Sequence, residues 1–161
     1  MWDAPTPSVG GMQKPFTPRH AVVTASDSGI GAATAIALAE QGLDVGVTWH
    51  SDREGAEATA EAVRARGSRA VVAQLDVTRL DDALRTLEGL FDDLGGVDVF
   101  VSNAGGGGGT PVTEISVEEW RDVLALNLDG AFVGMQAAAR RMLSAGTGGR
   151  IVAVSSVHEH Q

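Results

Sequence analysis

The sequence predicts an α/β fold, an open doubly wound parallel sheet with helices on both faces. Three observations carry that prediction. From His20 onward, short runs rich in Val and Ile alternate with amphipathic stretches, and strands covered on both faces read as such apolar runs. The first run passes through a tight turn, Thr24-Ala25-Ser26-Asp27-Ser28-Gly29-Ile30-Gly31, straight into an Ala-rich helical stretch, a connection whose side chains must be small. The strand and helix candidates are spaced for right-handed crossovers, which make neighbouring strands parallel.

Residues 1–19 hold four of the five prolines plus Gly10 and Gly11, with no helical or strand period, and read as a disordered leader. Met12 stands as an alternative start to Met1. Residues 20–161 form the one expected domain. Its strand candidates are 21–24, 44–49, 70–75, 97–102 and 150–155. Helix starts are signalled by capping boxes at Ser51 with Glu54, at Thr78 with Asp81, and at Ser116 with Glu119. The last opens a long helix reaching about Ser144. Low-complexity sequence is confined to 105–109, of which 106–109 read as a flexible glycine connection.

Composition narrows the function classes. A net charge of −9 with a pI near 4.7 repels phosphate backbones, so neither nucleic acid nor an anionic membrane is an expected partner. The absence of Cys excludes disulfides and thiolate metal sites and fits a cytoplasmic protein. No apolar run approaches a membrane span, and no secretory signal opens the chain. His158, Glu159 and His160 lack the spacing of a helical zinc motif, so no metal is expected.

In an open parallel sheet, ligands sit beyond the carboxyl ends of the strands, where strand order reverses. Those ends carry 24–31, 49–52, Asp76 and Val77, 103–109, and Ser155 onward, and all the candidate chemistry falls there. TASDSGIG at 24–31, LDVT at 75–78, SNAG at 102–105, LNLDGAF at 126–132 and IVAVSS at 151–156 occur in this order. Together they resemble the classical short-chain dehydrogenase/reductase (SDR) family over essentially everything from His20 to the end. The resemblance implies a Rossmann-like dinucleotide-binding domain, C-terminally truncated, and an NAD(P)-dependent oxidoreductase passing hydride to or from the carbonyl or alcohol of a small molecule. It also implies a homo-oligomer for a full-length form, built on the helix ending near Ser144.

Residue by residue, the resemblance places Thr24, Ser26, Ser28, Gly29, Ile30 and Gly31 around the coenzyme pyrophosphate, with Ser26 and Ser28 as hydroxyl donors and the glycines permitting close backbone approach. Asp76 and Val77 match an adenine contact, and Asn103, Ala104 and Gly105 would line the ribose and nicotinamide side. Trp49, His50 and Ser51 end the second strand, where an acid favours NAD and a cation suits the 2′-phosphate of NADP. His50 with Arg53 favours NADP, although Asp52 stands close enough to favour NAD. Asn127 and Ser156 match the catalytic set, the Asn holding a water through a local helix distortion and the Ser orienting the substrate oxygen.

Three departures are visible. The family turn reads TGxxxGxG, and Ala25 replaces its first glycine, where a methyl fits only if the backbone is not left-handed. The family NNAG is SNAG. The family continues into a YxxxK helix, whereas this chain has no Tyr and its one Lys is Lys14, so hydride transfer by these residues alone is expected to be impaired. A non-catalytic NAD(P)-binding module and an inactive fragment are the alternatives.

Overall fold

A computed structural model of the chain describes residues 16–156. Five parallel strands form one sheet: β1 His20–Val23, β2 Asp44–Trp49, β3 Ala70–Gln74, β4 Val99–Ser102 and β5 Arg150–Ala153. Their spatial order is β3-β2-β1-β4-β5. The chain winds outward from β1 through β2 to β3, then returns to the other side of β1 for β4 and β5. The reversal between β1 and β4 opens a crevice at their carboxyl ends.

The helices are α1 Gly29–Glu40, α2 Arg53–Arg64, α3 Leu80–Leu94, α4 Val117–Leu124 and α5 Gly130–Ala145, with a π-helical segment, Ala125–Asp129, joining the last two. Alternate strand residues feed two separate cores. On one face Val23, Val45, Val47 and Val101 meet α1 and α2 through Ala35, Ala39, Ala56, Ala60 and Val63. Helix α1 buries Gly31, Ala35 and Ala39, a four-residue repeat of small side chains on one stripe that brings its axis close to the sheet. On the other face Val22 and Phe100 meet α3 and α5. Helix α3 buries Ala83, Leu87, Leu90, Phe91 and Leu94, an amphipathic stripe that ends at Gly95 with φ 90°. Phe91 and Phe100 pack edge to face at 6.4 Å, a geometry worth about 1 kcal/mol beyond its buried area. Arg141 of α5 binds Glu88 at 3.0 Å and Asp92 at 2.6 Å on α3, tying the two helices of this face.

Two helix starts differ from the capping boxes expected. The cap of α2 is Asp52, whose Oδ1 accepts from Gly55 N at 2.9 Å, and not Ser51. Helix α3 starts after Arg79 with no side-chain cap, because the Thr78 hydroxyl donates instead to Asp76 Oδ1. Ser116 does cap α4, accepting from Glu119 N at 3.0 Å. The long helix expected from there is interrupted at Ala125–Asp129.

Of the segment read as a leader, 1–15 lie outside the described residues, as do His158, Glu159 and His160. Residues 16–19 are described and held in place: Arg19 N donates to Asp98 Oδ2 at 2.8 Å, and the Arg150 guanidinium lies 4.5 Å over the Phe16 ring. At the far side of the sheet β5 pairs with β4 alone among the described residues, and Ile151, Val152 and Val154 are exposed. No described helix is long and apolar enough to cross a membrane.

Candidate functional site

The turn after β1 is braced by polar groups that need burial to be specific. Thr24 is buried, and its Oγ1 accepts from both Asn103 N and Ala104 N at 2.8 Å. Asn103 returns the contact, its Nδ2 donating to Thr24 O and Ala25 O at 3.0 Å each. The turns after β1 and β4 are therefore locked to each other across the strand reversal. Ser26 departs from its expected part as a pyrophosphate donor. It is fully buried, donating to Val23 O at 2.8 Å and accepting from Thr48 N at 3.0 Å, so its hydroxyl is spent tying β1 to β2.

Ala25 has φ 48°, the left-handed region in which a methyl is strained. The condition for an alanine to fit comfortably is thus not met. The two Asn103 hydrogen bonds to the flanking carbonyls hold the turn in this shape. Ala25→Gly should raise stability by about 1 kcal/mol, read as an increased urea midpoint with unchanged slope.

Beyond this turn, α1 presents its N-terminus to solvent. Helices α2, α3 and α4 carry Glu54, Asp81 with Asp82, and Glu118 with Glu119 in their first turns; α1 and α5 have no acid there, and of these two only α1 starts from a turn, α5 continuing the π-helical segment. Its Ser28 cap makes no side-chain hydrogen bond, and a Cβ on Gly29 would meet nothing within 4 Å. First-turn N–H groups without side-chain partners, next to open space, carry partial positive charge suited to an anion. Gly31 serves the opposite need. A Cβ there would overlap the Ala25 carbonyl oxygen and lie 2.7 Å from Asn103 Nδ2.

A crevice of about 400 Å³ adjoins the turn at the strand reversal. Of the residues expected to bind a coenzyme, His50, Asp76, Val77, Ala104 and Gly105 line it. Leu75, Thr78 and Leu126 line it too, and the sequence reading named none of them as site residues. Leu75 and Thr78 flank the Asp76-Val77 motif, which was the available signal. Trp49 differs from expectation. It packs against the core on the α1 and α2 face, because side chains alternate along β2 and it is Thr48 and His50 that face the crevice. Ser51 is exposed beside the α2 cap and outside the lining.

Asp76 carries the crevice's negative charge. Its Oδ1 accepts from Thr78 Oγ1 at 2.6 Å and from Thr78 N at 3.0 Å, while Oδ2 lies 3.7 Å from His50 Nε2. The Thr78 hydroxyl chiefly, helped by the Thr78 N–H and by His50 and Arg79, holds the carboxyl below its ordinary value of 3.8 against a partial desolvation that works the other way. A depressed carboxyl favours the folded state above its unfolded pKa and loses that contribution as pH falls through the folded value, so the window lies below about pH 4. Thr78→Val should move the Asp76 titration back up toward 3.8, measured by carboxyl carbon chemical shifts against pH. Val77 is buried, with α5 drawn against it: a Cβ on Gly130 would lie 2.8 Å from Val77 O.

Asn127 sits in the π-helical segment. Its Nδ2 donates to Val123 O at 2.8 Å, the carbonyl that in an α-helix would pair with its own backbone N–H. The same amide reaches across to the glycine tract, Nδ2 donating to Gly106 O at 2.6 Å and Oδ1 accepting from Gly106 N at 3.1 Å. Gly106 is thereby anchored, contrary to the expectation that 106–109 are merely a flexible connection. Ser156 follows β5 at the same carboxyl end of the sheet and is exposed. A second crevice, of about 350 Å³ near Arg19, His20 and Asp98, lies at the opposite ends of the strands, away from every motif.

A family model described as short chain dehydrogenase matches residues 19–161. The chain belongs to the short-chain dehydrogenase family. Within that family it is 49% identical over 140 residues to the uncharacterized oxidoreductase YohF of Escherichia coli (strain K12), a match covering 87% of this chain and 55% of that protein. A crystal structure of acetoin dehydrogenase YohF from Salmonella typhimurium superposes with TM-score 0.86 at 44% identity, covering 90% of this chain and 60% of that one. Carveol dehydrogenase from Mycobacterium avium, crystallised in complex with NAD, superposes with TM-score 0.83 at 30% identity, covering 89% of this chain and 56% of its own. The chain thus spans a little over half the length of these short-chain dehydrogenases. What it shares with the two crystal structures is the fold over about nine-tenths of its own length.

Proposed function

We propose that this chain supplies the coenzyme-binding part of an NAD(P)-dependent oxidoreductase acting on the carbonyl or alcohol of a small molecule. The observation that carries the reading is the acid-free N-terminus of α1, opening beside a crevice that Asp76 and His50 line. The residues present fit a dinucleotide. Backbone amides of Gly29, Ile30 and Gly31, with the Ser28 hydroxyl, would hold the pyrophosphate. Asp76 Oδ2 is available to accept from the adenine amine, with Val77 beside it. Asn103, through its two turn carbonyls, sets the path of Ala104 and Gly105, whose small side chains admit the ribose and nicotinamide.

The arrangement at the end of β2 favours NADP over NAD. Asp52 is committed to capping α2, which removes the acid nearest the ribose, while His50 faces the crevice and Arg53 opens α2. When bound, the nicotinamide supplies the hydride acceptor or donor. Ser156 would orient the substrate oxygen and Asn127 would position a water in the proton path. Acetoin, a hydroxyketone, is the first substrate to try, on the likeness to acetoin dehydrogenase. The proton donor of the resembled mechanism is a Tyr beside a Lys, and these 161 residues hold no Tyr, so taken by themselves they would act as a silent coenzyme-binding module.

Isothermal titration of the chain with NADP⁺ and NAD⁺ tests the proposal. Saturable one-to-one binding, lost in a Gly31 variant that still folds, supports it, and heats indistinguishable from dilution for both coenzymes overturn it. Coenzyme-linked turnover of acetoin by a full-length form carrying the YxxxK segment then separates the enzyme from the silent module.

A further inference from the structure

With a dinucleotide assigned to the α1 turn and crevice, a reading on which this inference rests, His50 becomes the one titratable cation on the crevice wall among the described residues. Its side chain is 69% exposed, its backbone carbonyl is pinned by Gln74 Nε2 at 3.1 Å, and its Nε2 lies 3.7 Å from Asp76 Oδ2. The other charges around it have partners of their own. Asp52, from the start of α2, caps that helix, and Arg53 lies 3.9 Å from Glu57. Arg79, from the start of α3, pairs with Asp82 at 2.8 Å. Asp76 is held ionised by its Thr78 contacts. His50 is therefore the group whose charge decides whether this corner of the crevice is net negative or neutral.

We propose that the His50–Asp76 pair makes coenzyme choice depend on protonation, a cationic His50 selecting the 2′-phosphorylated adenosine and a neutral His50 leaving the two coenzymes close to equal. The ribose 2′ position belongs at the end of the second strand in such folds. A phosphate there would lie beside His50, whose Nε2 is 3.7 Å from Asp76 Oδ2, and so within the field of that carboxylate. With imidazole neutral, Asp76 opposes the added dianion. With imidazolium present, Asp76 is compensated and the phosphate gains a charge-assisted hydrogen bond. Imidazole changes charge between pH 5 and 8, where the neighbouring Asp and Arg side chains do not. NAD lacks the phosphate, so its affinity should follow pH little, and the ratio of the two affinities isolates the effect.

The test is isothermal titration of the full 161-residue chain with NADP⁺ and with NAD⁺ at about pH 6, 7 and 8, spanning the imidazole range, on wild type, His50→Gln and His50→Arg. In wild type the preference for NADP⁺ should rise about three- to fivefold from the alkaline to the acid end, the scale of an exposed ion pair. In His50→Gln the preference should be flat or fall toward acid, since the 2′-phosphate itself takes up a proton near pH 6. His50→Arg should prefer NADP⁺ at every pH with no acid-side rise. Wild-type and His50→Gln profiles that superimpose would overturn the inference while leaving the coenzyme site standing, as would NAD⁺ binding with no NADP⁺ binding at any pH. Absence of binding by either coenzyme at every pH overturns the coenzyme reading itself, and this inference with it.

Discussion

Gly31→Ala should lose about 3 kcal/mol of stability and at least roughly tenfold in coenzyme affinity. The methyl would overlap the Ala25 carbonyl oxygen and press on Asn103 Nδ2. Both neighbours are immobile, since the carbonyl belongs to a turn that accepts from Asn103 and whose Ala25 N donates to Thr48 Oγ1 at 3.1 Å. Relief requires α1 to withdraw from the sheet, which opens the Ala35 and Ala39 contacts, and overpacking of this kind costs about 1–3 kcal/mol or more. Moving α1 also moves the first-turn amides away from the pyrophosphate position. Gly29→Ala is the control. Nothing lies within 4 Å of its Cβ, and its φ of 54° leaves only left-handed strain, about 1–2 kcal/mol. Urea unfolding should rank the pair with Gly31→Ala the more damaging, and equal losses would show that the close approach is not what the glycine serves.

Thr24→Val should cost about 2–5 kcal/mol with almost no change of shape. The substitution removes the one oxygen that accepts from both Asn103 N and Ala104 N. Two part-buried N–H groups are left without that partner, each at about 1–3 kcal/mol. Backbone pairing of Thr24 N with Val101 O at 3.0 Å survives, so β1 and β4 should remain adjacent. The damage should concentrate in the turn after β4. Amide hydrogen exchange at Asn103 and Ala104 should accelerate far more than in β1, whereas uniform acceleration would mean that the oxygen holds the whole sheet and not that turn. Thr24→Ser, which keeps the oxygen, should restore most of the loss.

The layered parallel fold was legible because each strand is built on a short apolar run and each crossover has helical spacing. The candidate crevice was legible as motifs, since the rule that ligands gather at strand ends pointed to 24–31, Asp76 and 103–105, of which Ala25, Asp76, Ala104 and Gly105 line it. What escaped was the destination of individual polar atoms. A serine in a glycine turn looks like a phosphate donor, yet the Ser26 hydroxyl stitches β1 to β2. Sequence cannot rank a ligand against a neighbouring backbone carbonyl 2.8 Å away. The same limit misassigned two helix caps: Asp52 captured a role expected of Ser51 one residue earlier, and Thr78 turned to Asp76. Trp49 failed for a different reason. Period-2 alternation sends neighbours to opposite faces, so Trp49 and His50, both placed at the coenzyme by the resemblance, cannot both face the crevice.

Asn127 joins the π-helical segment to the glycine tract through Gly106 N and Gly106 O at once. Its amide thereby fastens together the two segments whose neighbouring residues, Leu126 and Gly105, line the crevice. Any excursion of that glycine ribbon, whether to admit a substrate or to release one, must either unlatch two hydrogen bonds or carry the π turn along. Asn127→Ala would cut the glycine tract loose from the π-helical segment while leaving the strands untouched.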